Sequence, residues 1–296
     1  MKCTAFGKAV DMSLHSNLSG NHENAHRKNR TANVFDMFMI AVAALVILLT
    51  LLEVWMILFN GTPYILQAVQ SEEVLFAVKL SIYTASVSTA VCMVLSIPTA
   101  YALTKTSLPL KRAAKILVEL PLSMPYLVLG LSLLLLFSSG FGKLLSHWGF
   151  QAVFSVNGII LAHVVVNLPF VISMLGTAFE GVDPRLEFIS RTLGASKARS
   201  FWSITLPLVK ESVAGATILA WSRALGEFGA TLMLVGVTRM KTETLPTSIY
   251  LDMATGDTGA AMASATILLL ISAASLLLFN IINRKAGGRL RECQLK

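Results

Sequence analysis

The sequence predicts an all-α integral membrane protein of about six transmembrane helices with both termini cytoplasmic, and three observations carry that prediction. The 296-residue chain is 55% hydrophobic and 14% charged, against roughly 25% charged in an ordinary soluble domain. Its apolar residues fall in runs about as long as the ~20 residues that cross a bilayer core as a helix. Its Lys and Arg residues gather in alternate connections between those runs.

The runs lie at about 37–59, 74–103, 116–139, 157–178, 211–236 and 261–283. They lack the period-two alternation of strands, and an open sheet would leave edge groups unpaired in lipid. Orientation follows from the basic residues. With the N-terminus inside, 19 of the 24 Lys and Arg residues lie on the cytoplasmic side. They occupy the head, the second-to-third connection, the fourth-to-fifth connection and the tail. Only Lys143, Arg239 and Lys241 fall outside, and Lys79 and Arg223 lie within spans. An odd number of spans would split these clusters across the membrane.

The flanks carry little chemistry. Residues 1–33 are polar, with no apolar stretch near the start as a secretory signal would have. They read as a disordered cytoplasmic head, held inside by "HRKNR", with His22 and His26 solvated in it. Residues 286–296 read as a cytoplasmic tail, and 34–285 as the membrane domain. Cys3, Cys92 and Cys293 are too far apart for a disulfide framework or a metal spacing. The net charge of +8 is dispersed in short clusters rather than in a basic domain, which argues against nucleic acid.

No phosphate-cradling Gly-Lys-Ser/Thr loop, zinc-spaced histidine pair or nucleophile signature is present. The chain is therefore read as non-enzymatic and free of cofactor or metal. His163 and Asn167, four apart in the fourth run, read as satisfied interior polar groups. Pro98, Pro121, Pro125 and Pro169 punctuate the spans; in a bundle, neighbouring helices can satisfy the carbonyls that a proline frees.

The connection at about 180–210 has structure of its own. Asp183 can cap a helix that begins at Pro184 and reaches Leu193. Gly194 permits a left-handed turn. A second short helix, "SKARSFWSI", should stop before Pro207. Leu186, Phe188, Ile189, Leu193, Phe201 and Trp202 are too apolar for a free loop. They imply either packing on the bundle's inner face or a knob that docks another protein.

With these residues in view, the segment resembles the signature loop of ABC-importer permeases, Glu-Ala-Ala…Gly…Ile-x-Leu-Pro. Gly194, Ile204, Leu206 and Pro207 fall at the family spacing, and "RTLGAS" and "TLPL" are typical wording. The Glu-Ala-Ala positions are Phe188, Ile189 and Ser190, with Glu187 one residue early, so docking by shape and apolar contact is expected in place of a strict glutamate contact. The resemblance implies an ATPase-docking loop of Glu187, Phe188, Ile189, Ser190, Leu193, Gly194, Ala195, Ser196, Phe201, Ile204, Leu206 and Pro207. It further implies a homodimer, two cytoplasmic ATPases that hold ATP and Mg, and an extracytoplasmic binding protein. Closure of the ATPases would switch the permease from inward-facing to outward-facing.

The fifth run, "ATILAWSRALGEFGATLMLVG", is the second strong signal. On a continuous helix, Ala216, Ala220, Arg223, Ala224, Glu227 and Ala230 share a small and charged face that should point into the bundle or a pathway. Ile218, Trp221, Leu225, Phe228 and Leu232 should meet lipid or a neighbouring helix. Arg223 and Glu227, four apart, are expected to pair, either to fix the bundle or to act near a gate. "RALGEFGATLMLVG", "KTETLPTSIYLDMATGD" and "SLPLKRAAKILVELPLSMPYLVLGLSLLLLF" resemble permeases for molybdate, tungstate and sulfate, over about residues 70–285. This implies pathway or gate residues Ser123, Pro125, Arg223, Gly226, Glu227 and Gly229, and molybdate or tungstate as cargo in a multi-pass cell-membrane protein. Sulfate or thiosulfate import is the alternative. An ion-gradient-driven transporter is a weaker one, because no inverted repeat is seen.

Overall fold

The computed structural model describes residues 34–294, with side-chain surroundings for residues 34–277. The expectations for the head and for the last tail residues lie outside that range. Every regular element among the described residues is helical. The chain divides after Leu58. Helix α1 (34–61) is apolar, and its side chains from Val34 to Met56 are exposed.

The second unit continues through a 3-10 turn at Thr62–Tyr64 to α2 (Ile65–Gln70) and α3 (Glu72–Lys105). Next come α4 (Lys111–Glu119), α5 (Tyr126–Ser138), α6 (Gly140–His147) and α7 (Val156–Glu180). The elbow is α8 (Pro184–Thr192), α9 (Lys197–Ser200) and α10 (Leu206–Leu208). After it come α11 (Lys210–Leu225), α12 (Gly229–Val235), α13 (Leu245–Thr255) and α14 (Thr258–Gln294). Among the described residues, four helices are long and apolar enough to cross a membrane, and up to six spans result if each of two bent pairs, Lys111–Ser123 with Tyr126–Ser138 and Lys197–Leu208 with Lys210–Leu225, counts as one.

Two of the expected spans are not continuous helices. The run at 116–139 bends by 110° between Lys111–Ser123 and Tyr126–Ser138. Pro121 and Pro125 lack the N–H that would continue the ladder, so Leu120–Ser123 tightens into a 3-10 turn and Pro125 sits just before α5 in extended backbone. The run at 211–236 breaks at Gly226–Phe228, between α11 and α12.

The long pair α3 and α7 forms the spine, packed through small and hydroxyl residues. Ala77, Ala85 and Ala100 on α3 and Ile159 and Ala162 on α7 are fully enclosed. Small residues allow the backbones of membrane helices to approach closely. The buried Thr84 and Ser88 hydroxyls donate to their own helix's carbonyls, to Leu80 at 2.9 Å and Ala85 at 3.1 Å, so neither is left bare. α5 and α12 meet more tightly still. A Cβ on Gly130 would lie 2.6 Å from the Ala230 carbonyl oxygen, so only glycine fits there. Toward one end, Leu103, Leu175, Phe179, Val182 and Val209 form an apolar floor under the elbow.

Candidate functional site

The elbow follows from local chemistry. Asp183 accepts the Arg185 N–H at 2.9 Å, and Pro184 starts α8. At its other end the Gly194 N–H reaches the Arg191 carbonyl at 3.0 Å and the Ala195 N–H the Ser190 carbonyl at 3.1 Å. This two-bond helix stop needs a left-handed residue, and Gly194 has φ +90°. Ser196 caps α9 by accepting the Arg199 N–H at 3.2 Å. The second helix does not stop before Pro207 as the sequence suggested. It widens into a π turn at Phe201–Thr205 and runs on to Leu208. The wider register carries the chain past Pro207, which has no N–H to give.

The docking-loop residues divide into two sets. Phe188, Ile189 and Leu193 point outward with 67%, 54% and 83% of their surface exposed. Ile189 and Leu193, with Ser190, Gly194, Ala195 and Ile204, border a shallow concavity of about 430 Å³. Pro207 is exposed and Leu206 half-buried. Phe201 turns inward, edge-on to Tyr101 with ring centroids 4.9 Å apart.

Glu187 also turns inward. Its carboxylate accepts the Thr205 hydroxyl at 2.5 Å and the Tyr101 hydroxyl at 3.5 Å. Lys105 donates to the Val182 carbonyl at 2.7 Å. The elbow is thereby fastened to the end of α3, and α3 belongs to the spine. Sequence reasoning missed Tyr101 and Thr205 as anchors; an aromatic hydroxyl at the end of an apolar run was the available signal.

The residues that the sequence suggested for a pathway gather where both broken spans are interrupted. Arg223, in the last turn of α11, donates through Nη2 to the Tyr126 hydroxyl at 2.7 Å and through Nε to Asn167 Oδ1 at 3.2 Å. Its guanidinium carbon lies 4.7 Å from the centroid of the Phe170 ring, within reach of a cation–π attraction. Arg223 and Glu227 form no ion pair, which corrects the expectation. The helix ends at Leu225, so Glu227 is no longer one turn along from Arg223. Its carboxylate instead caps α12, accepting the Ala230 N–H at 2.8 Å, and is buried.

Gly226 is exposed in the break. Gly229 lies against Tyr126, where an added Cβ would be 3.2 Å from the Tyr126 Cβ. Pro125 precedes Tyr126 at the other break, and Ser123 is exposed with its hydroxyl bound to the Leu120 carbonyl at 2.8 Å. Ala216, Ala220 and Ala224 are buried as expected. Leu225 is buried too, packed with Trp221 against Leu268 and Ile271 of α14, a neighbouring helix. Asn167 is satisfied, also donating to the His163 carbonyl at 2.9 Å. His163 is not: it is buried, and neither ring nitrogen has a partner in hydrogen-bonding geometry.

The far end holds an ionic cluster that the sequence did not reveal. Arg239 reaches Glu73 at 2.6 Å, Asp252 at 2.8 Å and Glu243 at 3.3 Å. It ties the start of α3 to the α12–α13 loop and to α13. Burial pushes the Glu243 carboxyl above its ordinary range, against the Met240 N–H and Arg239, which pull it down. Asp252 foremost holds the Arg239 guanidinium above its ordinary value.

The chain is similar to known proteins in sequence and in fold. Residues 92–288 match the family of binding-protein-dependent transport system inner membrane components. The chain is 37% identical over 199 residues to the molybdenum transport system permease protein of Mycobacterium tuberculosis, covering 67% of this chain and 75% of that one. It is 35% identical over 243 residues to a probable molybdenum ABC transporter permease of Haloferax volcanii, covering 81% and 88%. A sulfate transport system permease of Synechocystis is 30% identical over 246 residues, covering 82% and 89%. The fold matches a chain of a bacterial alginate ABC transporter crystallised with its alginate-bound periplasmic protein, with TM-score 0.66 and 17% identity over 87% of this chain and 96% of that one. With a helical fold throughout its described residues, broken spans, a Gly-centred elbow and this likeness, the chain belongs to the binding-protein-dependent transport system inner membrane components: it is a multi-pass inner-membrane permease subunit of an ABC importer.

Proposed function

We propose that the chain carries a tetrahedral oxyanion, molybdate or tungstate, as one half of a homodimeric permease driven by two cytoplasmic ATPases and supplied by an extracytoplasmic binding protein. The observation that carries the substrate is the agreement of several relatives at 35–38% identity whose names specify molybdenum, joined by a molybdate/tungstate permease of Methanocaldococcus jannaschii at 29%. The observation that supports the mechanism is the exposed apolar surface of Phe188, Ile189 and Leu193 on an elbow anchored to α3. In this reading the elbow faces the cytoplasm and seats on the ATPase, which alone hydrolyses ATP with Mg.

A push on the elbow reaches the spine through Glu187 and Lys105. The spine reaches the pathway through Asn167 on α7, which holds Arg223. Arg223 stays bound to protein partners, and that suits a residue that guides a dianion without retaining it. Two copies enclose the route, because α3, α7 and α11 pack too closely within one chain to leave a wetted path.

The sulfate relative supports sulfate or thiosulfate as a second reading. Reconstitution of the tagged permease with its ATPase and binding protein separates the two. Molybdate and tungstate should stimulate ATP hydrolysis and uptake at concentrations where sulfate does not. Stimulation by sulfate alone would reverse the assignment. Cysteine pairs placed across the dimer on α5 and α12 should crosslink, differently with and without ATP. A fully active complex with a single permease chain would refute the homodimer.

A further inference from the structure

A second site lies on the bundle side of the elbow, away from its exposed apolar face. A cavity of about 540 Å³ opens between the end of α3 and the α8–α9 turn. Lys105, Arg191, Lys197 and Glu187 are the charged residues on its wall, three cations against one carboxylate. Glu187 is already engaged by Tyr101 and Thr205. Lys105 bonds to a neutral carbonyl. Among the described residues, neither Arg191 nor Lys197 has an ion-pair partner. Ser200, on the same wall, is 2% exposed with its hydroxyl buried, so the accessible polar groups there are the cations. Cations in excess over carboxylates and without ion-pair partners are the groups that hold a phosphate, whose oxygens accept charge-assisted hydrogen bonds.

The approach to the cavity is apolar. Val91, Val94, Pro98, Tyr101 and Lys105 follow one another at intervals of three and four on α3, so they form one stripe. The last three line the cavity. Val91 and Val94 are 40% and 71% exposed, with Leu95 beside them at 46%. Trp202, at the mouth, is 66% exposed, as befits an aromatic at headgroup level. An apolar stripe that ends in a cationic pocket at the basic end of a membrane helix has the two-part chemistry of a phospholipid.

We propose that this cavity binds the phosphate headgroup of an anionic phospholipid whose acyl chain lies along the Val91–Val94–Pro98 stripe. A free phosphate would use the cations and ignore the stripe. An acidic segment of a docked protein would use the cations and exclude the lipid.

Native mass spectrometry of the full-length chain in detergent tests this, with phosphatidylglycerol or phosphatidylcholine titrated in. One phosphatidylglycerol per chain should persist under conditions that strip phosphatidylcholine. Arg191→Gln with Lys197→Gln should weaken that binding by about tenfold or more. Arg191→Lys with Lys197→Arg should preserve it, and Lys143→Gln, outside the cavity, should change nothing. Both variant sites are solvent-exposed, and unchanged thermal unfolding would show that the variants fold. Val94→Asn should weaken phosphatidylglycerol and leave binding of inorganic phosphate alone. Equal retention of the two lipids, or retention unaffected by the double variant, would overturn the proposal. So would inorganic phosphate binding as tightly as the lipid, or release of the lipid when the ATPase docks or two chains associate.

Discussion

Arg223 and Tyr126 are hydrogen-bonded at 2.7 Å across 97 positions of sequence, and each stands at a break in its own span. The bond latches the two interrupted spans to each other beside their breaks.

Replacing Tyr126 by Phe removes this bond and leaves Arg223 its contacts with Asn167 and Phe170. A hydrogen bond to a charged group contributes about 1.5–3 kcal/mol. Tyr126→Phe and Arg223→Met should therefore be coupled in a double-mutant cycle, read from thermal unfolding. Arg223→Met and Glu227→Gln should be coupled more weakly, because those residues attract only through space and share no bond. Coupling in the second cycle and none in the first would mean that the latch is drawn wrongly. Uptake should fall in Tyr126→Phe even where stability is nearly kept.

At Gly194 the strain is purely conformational: φ is +90°, and an added Cβ would meet nothing within 4 Å. A β-branched residue there should cost at least about 1 kcal/mol. Gly194→Val should reduce recovery of the ATPase with the tagged permease while membrane insertion stays normal. Gly194→Asn should be milder, since Asn tolerates left-handed backbone better. Equal recovery for both variants would mean that the turn is not strained.

Glu187 should matter for coupling more than for docking. Its carboxylate faces Thr205 and Tyr101, whereas Phe188, Ile189 and Leu193 supply the exposed apolar surface. Glu187→Ala should leave the ATPase bound but uncouple hydrolysis from uptake. Phe188→Ala with Leu193→Ala should instead release the ATPase. The two measurements, complex recovery and anion carried per ATP, would expose the reverse pattern at once.

The Arg239 cluster gives a pH dependence. Glu243 has a raised native pKa, so the native state takes up its proton more readily than the unfolded chain. Its contribution to stability is full below the unfolded carboxylate value, near 4.5, and is lost as pH rises through the native value above it. Glu243→Gln keeps an acceptor for the Met240 N–H and cannot ionise. It should be more stable than the parent at neutral pH, and the difference should shrink toward pH 4.5. A difference that grows on acidification would show that attraction to Arg239 outweighs burial.

The elbow was legible because each of its parts is local. Asp183, Pro184, Gly194 and Ser196 act within a few residues of themselves, so their order in the chain is enough to draw two helices and a turn. The apolar runs were legible for the same reason: bilayer thickness sets their length whatever they pack against. The end of the second helix was misread because Pro207 was taken as a stop, whereas a π turn changes the bonding register ahead of it.

By itself the sequence determined that the chain is helical and membrane-spanning, with an elbow at Gly194 and a charged residue deep in the fifth run. Only the tertiary structure decided what that charge meets. Four-residue spacing offered Glu227, but spacing has meaning only while a helix continues, and α11 ends at Leu225. With the ladder broken, Glu227 turned to the bare N–H groups of α12, and Arg223 was left to Tyr126, Asn167 and Phe170, which come from two other helices. A charge inside a membrane span must find partners wherever packing supplies them, and packing across 56 and 97 positions is set by how the helices meet, which no local pattern records.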